Sequence, residues 1–431
     1  MSNPLTDSLL QRAKAANSSI SADFIRKEVA DFLSVQSQLV KSELSGDESL
    51  KIAARKNFFR AKSVKRMAIL ETRETSKWPQ TKYNLDQELQ GLTPGKSCAE
   101  GVHVNLVPKM SLYEWSLAKK KKFNSSPFRT TQVSGPIRKA KNWMVNEYLR
   151  LVLPDHPSNY LVKGRGTEAL AQEIQNFLKQ GHEWFVNFDI QNYFGSVQNG
   201  PWLEDATGLK GDTIAEEVFT SPHTLMILPP HHQEHLLKAA QSGLPQGRAT
   251  SSTVAGYLYG EILGQVCPAD RCLYYGDDGL ILASSYDEGV EIAHKLSEVL
   301  KLHPAGPFSL KHCNVVQNTQ GFEMVKYWHK RALFGHLYCD IGHQSYYRLQ
   351  ERTFEKIVRF GDIKSANYIA KSYCDLWLAS HQSANIDEET LLSAEVAQDD
   401  PIFDACKYLD LDNSAQPGSS VGINDVQEAP K

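Results

Sequence analysis

The stretch CLYYGDDGLILA (272–283) most constrains what this chain can fold into. Apolar and aromatic residues flank two adjacent aspartates, Asp277 and Asp278, so the pattern reads as two buried strands joined at an acidic turn. Two carboxylates placed there lose solvation and repel each other; without compensation one stays protonated or the fold suffers. Arg271 is near in sequence, but a single arginine does not explain why the acids occupy the turn. A hard divalent cation does, because carboxylate oxygens with water and phosphate are the ligands magnesium prefers. Such a site usually draws a further carboxylate from another element. FVNFDIQNYFGSV (185–197) offers Asp189 at the end of an apolar strand, followed by Tyr193 and Phe194. A third piece, SGLPQGRATSS (242–252), is a Gly/Pro turn entering a helix, which lets backbone approach a flat or anionic ligand.

In that order, FDIQNYFGS, GLPQGRATSS and YYGDDG resemble the A, B and C motifs of reverse transcriptases. FSLKHCNVV (308–316) is similar to the family's lysine-bearing D motif, and GFEMVKYW (321–328) stands in the place of its E motif, the primer grip. Upstream, PIRKAKNWMVNEYLRLVLPDHPSNYLVKGRGTEA is similar to the fingers of the bacterial enzymes. The likeness covers about residues 125–330, and three motifs in order are far more specific than any one. It implies an α+β right-hand polymerase fold with fingers, a palm built on an antiparallel sheet, and a helical thumb. It also implies RNA-directed DNA synthesis from dNTPs, with two Mg2+ ions (or Mn2+) held by Asp189, Asp277 and the backbone carbonyl of Ile190, and Asp278 as the third acid. Lys311 would be the acid or charge stabiliser for pyrophosphate. The Phe194 ring would exclude a ribose 2′-hydroxyl, and Gln246 and Gly247 would lie along the template base and incoming nucleotide. Arg138, Lys139, Lys163 and Arg165 are the fingers candidates for triphosphate contact.

The rest of the chain is read from patterning. Residues 1–100 are expected as a helical extension, 101–182 as fingers, and 183–330 as palm with 198–240 contributing to the fingers. Residues 331–411 are expected as a helical thumb and 412–431 as a disordered acidic tail. The helix expected around Trp143 ends at Pro154, and the segment before it, punctuated by Gly135 and Pro136, reads as a basic hairpin. The net charge of −3 conceals an asymmetry: residues 387–431 hold eleven acidic and two basic side chains, the remainder 39 acidic and 45 basic. Within the basic body, KIAARKNFFRAKSVKR (51–66) has seven basic residues and no acid, with Lys51, Arg55, Lys62 and Arg66 on one helical face. These four and the run Lys119, Lys120, Lys121 and Lys122 are the candidate RNA contacts, set against the plainer reading of a solvated surface.

Seven scattered cysteines without a CxxC pair fit reduced thiols, and no apolar run reaches the roughly 18–20 residues of a membrane span. A soluble, cytoplasmic bacterial protein is expected. HHQEH (231–235) matches a zinc-protease pattern but lies between the A and B motifs without an evident third ligand. Tyr193 and Tyr274 are expected to pack rather than react. YGDD is also the usual C motif of RNA-dependent RNA polymerases, but those enzymes carry an aspartate where this chain has Phe194 and lack LPQG. An inactive RNA-binding scaffold would be expected to have lost an acid. Retron enzymes typically have a VTG element where this chain has NTQGFEMV, and group II intron enzymes carry maturase segments after the thumb. The resemblance therefore points toward stand-alone reverse transcriptases of phage defence, with a structured noncoding RNA as template and a cDNA product.

Overall fold

The computed structural model describes residues 3–108, 128–162, 164–228, 233–332 and 336–341. Among them the strands are, in chain order, β1 (Val102–Pro108), β2 (Phe128–Ser134), β3 (Trp184–Ile190), β4 (Met226–Ile227), β5 (Cys272–Tyr275), β6 (Asp278–Ala283), β7 (Leu310–Gln317), β8 (Phe322–Met324), β9 (Tyr327–Arg331) and β10 (Leu337–Ile341). Helices accompany them throughout, so the chain is of the mixed helix-and-sheet class. It divides into two compact units, one drawn from residues 1–156, 192–261 and 302–308, the other from 157–191, 262–301 and 309 onward. No described helix is long and apolar enough to cross a membrane.

The first unit opens with helices whose ends are set by local chemistry. Ser21 accepts a hydrogen bond from the Phe24 backbone and starts Ala22–Ser45, which Gly46 closes at φ 73°. Asp47 then caps Glu48–Arg60 through the N–H groups of Ser49 and Leu50. The apolar stripe Ile25, Val29, Phe32 and Leu39 is buried, as are Val64, Met67, Ala68 and Leu70 of Lys62–Thr72. Both helices pack on Pro136–Val152, where the Phe32 and Trp143 ring centroids stand 5.6 Å apart.

That last helix corrects the expected basic hairpin. Gly135 is its N-cap and Pro136 its first residue, so IRKAK is helical. Proline lacks the N–H that a first turn leaves unused. The Glu100 carboxylate accepts from the N–H groups of Ile137 and Arg138 at 3.1 and 2.9 Å, complementing the positive end of the helix. The segment before Gly135 is strand β2, antiparallel to β1 with Val102 opposite Ser134, and β4 joins β1 in parallel. The helix also carries charge into the core. Arg138 pairs with Glu216 at 3.4 Å and Lys141 with Glu217 at 3.8 Å, while Arg248 donates to the Glu216 and Phe219 carbonyls and to Gln132. Burial raises the pKa of Glu217 against the opposing pull of Lys141 and Arg138.

The second unit holds a four-stranded sheet in the order β5-β6-β3-β7, every neighbouring pair antiparallel. Leu170, Ile174, Phe177 and Leu178 of the helix Thr167–Lys179 cover Phe185, Leu273, Leu280 and Leu282, joined by Phe322 and Met324 of β8. Leu280 and Leu282 face this cluster together because strand side chains alternate with period two. Thr167 is its first helical residue, and Gly166, at φ 151°, takes the cap position, a backbone conformation that side chains rarely adopt. The helix Tyr286–Leu302 approaches β7 so closely that a Cβ on Gly289 would stand 2.6 Å from Val315 Cγ1. A second sheet runs β10-β9-β8. Its strand β10 replaces the start of the expected helical thumb: Leu337, Cys339 and Ile341 alternate with polar neighbours, the period of a strand, and Leu337 pairs opposite Arg331. The remaining expected thumb helices and the tail from 412 lie outside the described residues.

Glu288 ties the helix Tyr286–Leu302 to this sheet. Its carboxylate accepts from the Ser284 hydroxyl and N–H and from Arg271, whose guanidinium also donates to the Leu282 carbonyl. These hydrogen bonds, those of Ser284 foremost, hold its pKa down at about 2 against an ordinary value of 4.5. The folded state therefore binds this proton less readily than the unfolded chain. The stabilisation is full above pH 4.5 and fades as pH falls through about 2. Glu288→Gln is expected to lower the urea midpoint at neutral pH and to change it less near pH 2, followed by circular dichroism. An equal loss at both pH values would show that the charge is not what matters.

Candidate active site

The acidic turn is a two-residue hairpin loop. Tyr275 of β5 pairs with Asp278 of β6, leaving Gly276 and Asp277 at the bend. Gly276 has φ 68°, whereas Asp277 is not among the positive-φ residues, the pattern of a type II′ turn with glycine at its first central position. Asp278 begins β6 directly opposite Asp189 of β3. The N–H of Ile190 donates to the Asp277 carbonyl at 3.1 Å, fixing the end of β3 to the turn. All three carboxylates expected from the sequence thus belong to one corner of one sheet.

The fourth residue comes from the opposite side of β3. On β7, His312 pairs with Asp189 and Leu310 with Ile190, so Lys311 is the extra residue of a β-bulge. A bulge redirects side chains at a strand end. Lys311 Nζ lies 2.6 Å from Asp189 Oδ2. Burial works against the Lys311 ammonium, but the hydrogen bond to Asp189 and the field of Asp189, Asp277 and Asp278 outweigh it and raise its pKa. The raised pKa of Asp278, about 7, has burial as its largest cause, followed by the charges of Asp277 and Asp189. Asn187, two residues before Asp189 and hence on the same face of β3, sits with its Oδ1 3.2 Å from His312 Nε2 and donates to the Glu323 carbonyl. This pair was not singled out from sequence, although an asparagine within FVNFDI was a readable signal.

The field of the neighbouring carboxylates is felt by both Lys311 and Asp278, whose pKa values it raises. Among the described residues no group of three or more His, Cys, Asp or Glu side chains is gathered as a metal cluster. The donor set nonetheless fits a hard divalent cation: the ligands are oxygens, and Asp278 resists ionisation because it is buried and faces the charges of Asp277 and Asp189, which Lys311 only partly offsets.

The remaining expected residues fall as follows. In the second unit, Arg165 donates to the carbonyls of Pro157 and Asn159 and lies 5.7 Å over the Tyr160 ring. Lys163 lies outside the described residues. Phe194 belongs to the first unit, half-buried on the short helix Tyr193–Ser196, with its carbonyl accepting from Leu244 N–H at 2.7 Å. A Cβ on Gly243 would meet that carbonyl at 2.1 Å, so the SGLP turn requires glycine there. The Gln246 carbonyl accepts from Gln132 N–H, and Gly247, at φ 100°, passes the Gln132 carbonyl where a Cβ would stand 2.8 Å away. Arg138 is 1% exposed and paired with Glu216, so its charge serves the core and is not offered to a triphosphate; the neighbouring Lys139 is half-buried. Tyr193 and Tyr274 are each 1% exposed, in keeping with a packing role.

The candidate RNA-binding residues divide. Lys51 faces Glu43 at 3.8 Å, Arg55 donates to Tyr148 Oη and the Gly208 carbonyl, and Arg66 binds both Glu28 and Asp86. Lys62 is exposed, and Lys119–Lys122 lie outside the described residues. Of HHQEH, His231 and His232 also lie outside them, and the helix Gln233–Gln241 takes the rest.

No family model matches the chain, and no curated protein matches it. Among solved structures it is similar to telomerase from Candida albicans in complex with a TWJ fragment of telomeric RNA, at 12% identity and TM-score 0.37, covering 71% of this chain and 59% of that one. It is also similar to the Sicinivirus 3Dpol RNA-dependent RNA polymerase, at 10% identity and TM-score 0.38, covering 76% and 73% of the two chains. The chain thus spans well under two thirds of the telomerase chain. Both likenesses are distant.

The carboxylate corner itself is testable without any turnover assay. Millimolar Mg2+ is expected to raise the melting temperature of the wild-type protein, by offsetting the repulsion among Asp189, Asp277 and Asp278. The double variant Asp277→Asn with Asp278→Asn is expected to melt higher than wild type in metal-free buffer and to respond less to Mg2+. Differential scanning fluorimetry reads both, and an equal Mg2+ response in the two proteins would remove the cation from this corner.

Proposed function

We propose that this chain is an RNA-directed DNA polymerase that copies a noncoding RNA template in bacterial defence against phage. The observation that carries the reading is the in-register opposition of Asp189 and Asp278 across β3 and β6, with Asp277 on the adjoining turn and Lys311 against Asp189. The order of the A, B, C and D motif resemblances along the chain supports it. Divalent ions held by Asp189, Asp277, Asp278 and the Ile190 carbonyl would supply Lewis acidity for attack of a primer 3′-hydroxyl on a nucleotide α-phosphate.

The protein's own groups have distinct tasks in that reaction. The paired strands hold the three carboxylates on a rigid sheet, so little reorganisation is needed when charge develops. The Lys311 ammonium offsets negative charge at the corner and is available to stabilise or protonate departing pyrophosphate. The Phe194 ring sets sugar selectivity by occupying the volume a 2′-hydroxyl would need. The Gln246–Gly247 turn presents backbone to the base pair being formed, and its glycine keeps that surface flat. The defence setting rests on the resemblance to stand-alone bacterial reverse transcriptases.

Primer extension on an RNA template tests the reading. Asp277→Asn with Asp278→Asn is expected to cut dNTP incorporation at least about 10³-fold, some 4 kcal/mol of transition-state stabilisation, while the far-ultraviolet circular dichroism stays native. Retained synthesis would remove these residues from catalysis. Extension by the wild-type protein with rNTPs but not dNTPs would replace the reading with RNA synthesis. Phe194→Val is expected to raise the use of rNTPs relative to dNTPs by about tenfold, roughly 1.4 kcal/mol, in a competition assay.

A further inference from the structure

The basic segment 51–66 does not present one charged face. The helix Glu48–Arg60 ends, Ala61 intervenes, and Lys62–Thr72 begins. Around this break six of the seven cations fall into two sets. Lys51, Arg55 and Arg66 are engaged with partners inside the protein. Arg60, Lys62 and Lys65 instead line a cavity of about 350 Å³, together with Asp86, Leu89 and Gln90. That volume is at the small end of the roughly 300–1,000 Å³ typical of ligand clefts. The acid on the wall, Asp86, is already bound by Arg66 through Nε at 3.0 Å and Nη2 at 2.7 Å. Among the described residues, Arg60, Lys62 and Lys65 make no ion pair, so the cavity keeps an uncompensated positive charge.

Two independent features make that charge unfavourable for the protein alone. Lys62 and Lys65 stand in the first turn of Lys62–Thr72, which has no acidic residue there and no side-chain cap from Ala61. The positive end of a helix dipole disfavours cations at this position. Lys65 is also half-buried, and burial lowers its pKa with no carboxylate opposing the shift. A bound anion relieves both costs, and three donors around one cavity suit the oxygens of a phosphate.

We propose that this cavity holds a phosphodiester of single-stranded RNA between Arg60, Lys62 and Lys65, with Leu89 and Gln90 available to the adjoining nucleoside. Arg60, Lys62 and Gln90 are exposed, so a continuous strand has access to it, whereas a small ligand would gain from a deeper enclosure. The site lies in the helical N-terminal region and replaces the continuous face Lys51, Arg55, Lys62 and Arg66 read from helical spacing. It rests on the reading of the chain as an RNA-handling enzyme, yet binding there requires no catalysis and can be measured by itself.

The test uses the full chain and fluorescence anisotropy of a labelled, unstructured RNA oligonucleotide over a salt series, without nucleotides. Arg60→Gln/Lys62→Gln/Lys65→Gln is compared with Lys14→Gln/Lys27→Gln/Lys41→Gln, which removes the same charge from exposed helix surfaces elsewhere. The cavity variant is expected to weaken binding at least about tenfold and to lower the log–log salt slope by at least about 0.7, one phosphate contact on a single strand. The control is expected to change affinity less than about threefold. Equal losses in both variants, or none in the cavity variant, overturn the proposal. A labelled mononucleotide that binds wild type and not the cavity variant, while RNA affinity is unchanged, reassigns the cavity to a free nucleotide and overturns it also. Should the triple variant fail to fold, Arg60→Gln alone, at an exposed side chain, carries the same comparison. Primer extension by the cavity variant at saturating template keeps the two readings apart: loss of RNA affinity with extension intact upholds this site, and loss of extension through Asp277 and Asp278 is a separate result.

Discussion

The arrangement of the second unit depends on placing like charges opposite each other across two strands. Asp189 and Asp278 are direct partners on β3 and β6, and Asp277 adjoins them on the turn. Like charges in this position destabilise a sheet, so the surrounding structure has to hold them there. The apolar cluster from Leu170 to Met324 clamps the strands from one side, and the Ile190–Asp277 backbone bond closes the corner. The bulge at Lys311 then delivers a single ammonium to the cluster. The field of the three carboxylates raises the pKa of Lys311, and burial and the neighbouring charges of Asp277 and Asp189 raise that of Asp278, so the corner favours further positive charge.

A different electrostatic solution operates in the first unit. Arg138, Lys141, Glu216, Glu217 and Arg248 are all buried, and their charges largely answer one another. Buried ion pairs of this kind add little net stability compared with apolar packing, but they penalise any arrangement that separates the partners. Here they tie the helix Pro136–Val152 to Gly211–Glu217 and, through Arg248 and Gln132, the turn at Gln246 and Gly247 to β2. The backbone path of Gln246 and Gly247 is set by this network and by the close approach of the Gln132 carbonyl.

Basic residues illustrate how one composition serves two ends. Within residues 51–66 Lys51, Arg55 and Arg66 are internal struts, whereas Arg60, Lys62 and Lys65, on either side of the helix break at Ala61, line a surface cavity. Arg55 and Arg66 reach a carbonyl, a phenol and two carboxylates, whereas Arg60, Lys62 and Lys65 converge on a space whose acid, Asp86, is held by Arg66. Reading the segment as one continuous helix merges these groups, since helical spacing assigns faces only while the helix is unbroken.

What the sequence by itself determined is the chemistry of the corner and the elements that carry it. The apolar runs around Asp189 and around Asp277 and Asp278 specify strands, and glycine at 276 specifies the tight turn, because these depend on local periodicity and backbone sterics alone. Helix ends at Ser21, Gly46 and Asp47 are legible for the same reason. The tertiary structure decided which strands are neighbours, that Asp189 stands opposite Asp278, and that a bulge brings Lys311 to Asp189. It also decided that Arg138 is an internal ion-pair partner, that Pro136 starts a helix capped by Glu100, and that residues 337–341 extend a sheet. These outcomes hinge on partners distant in the chain, Glu100 from Ile137, Glu216 from Arg138 and Lys311 from Asp189. The type of a residue states what bond it can make, and only the packed chain states which partner is within reach.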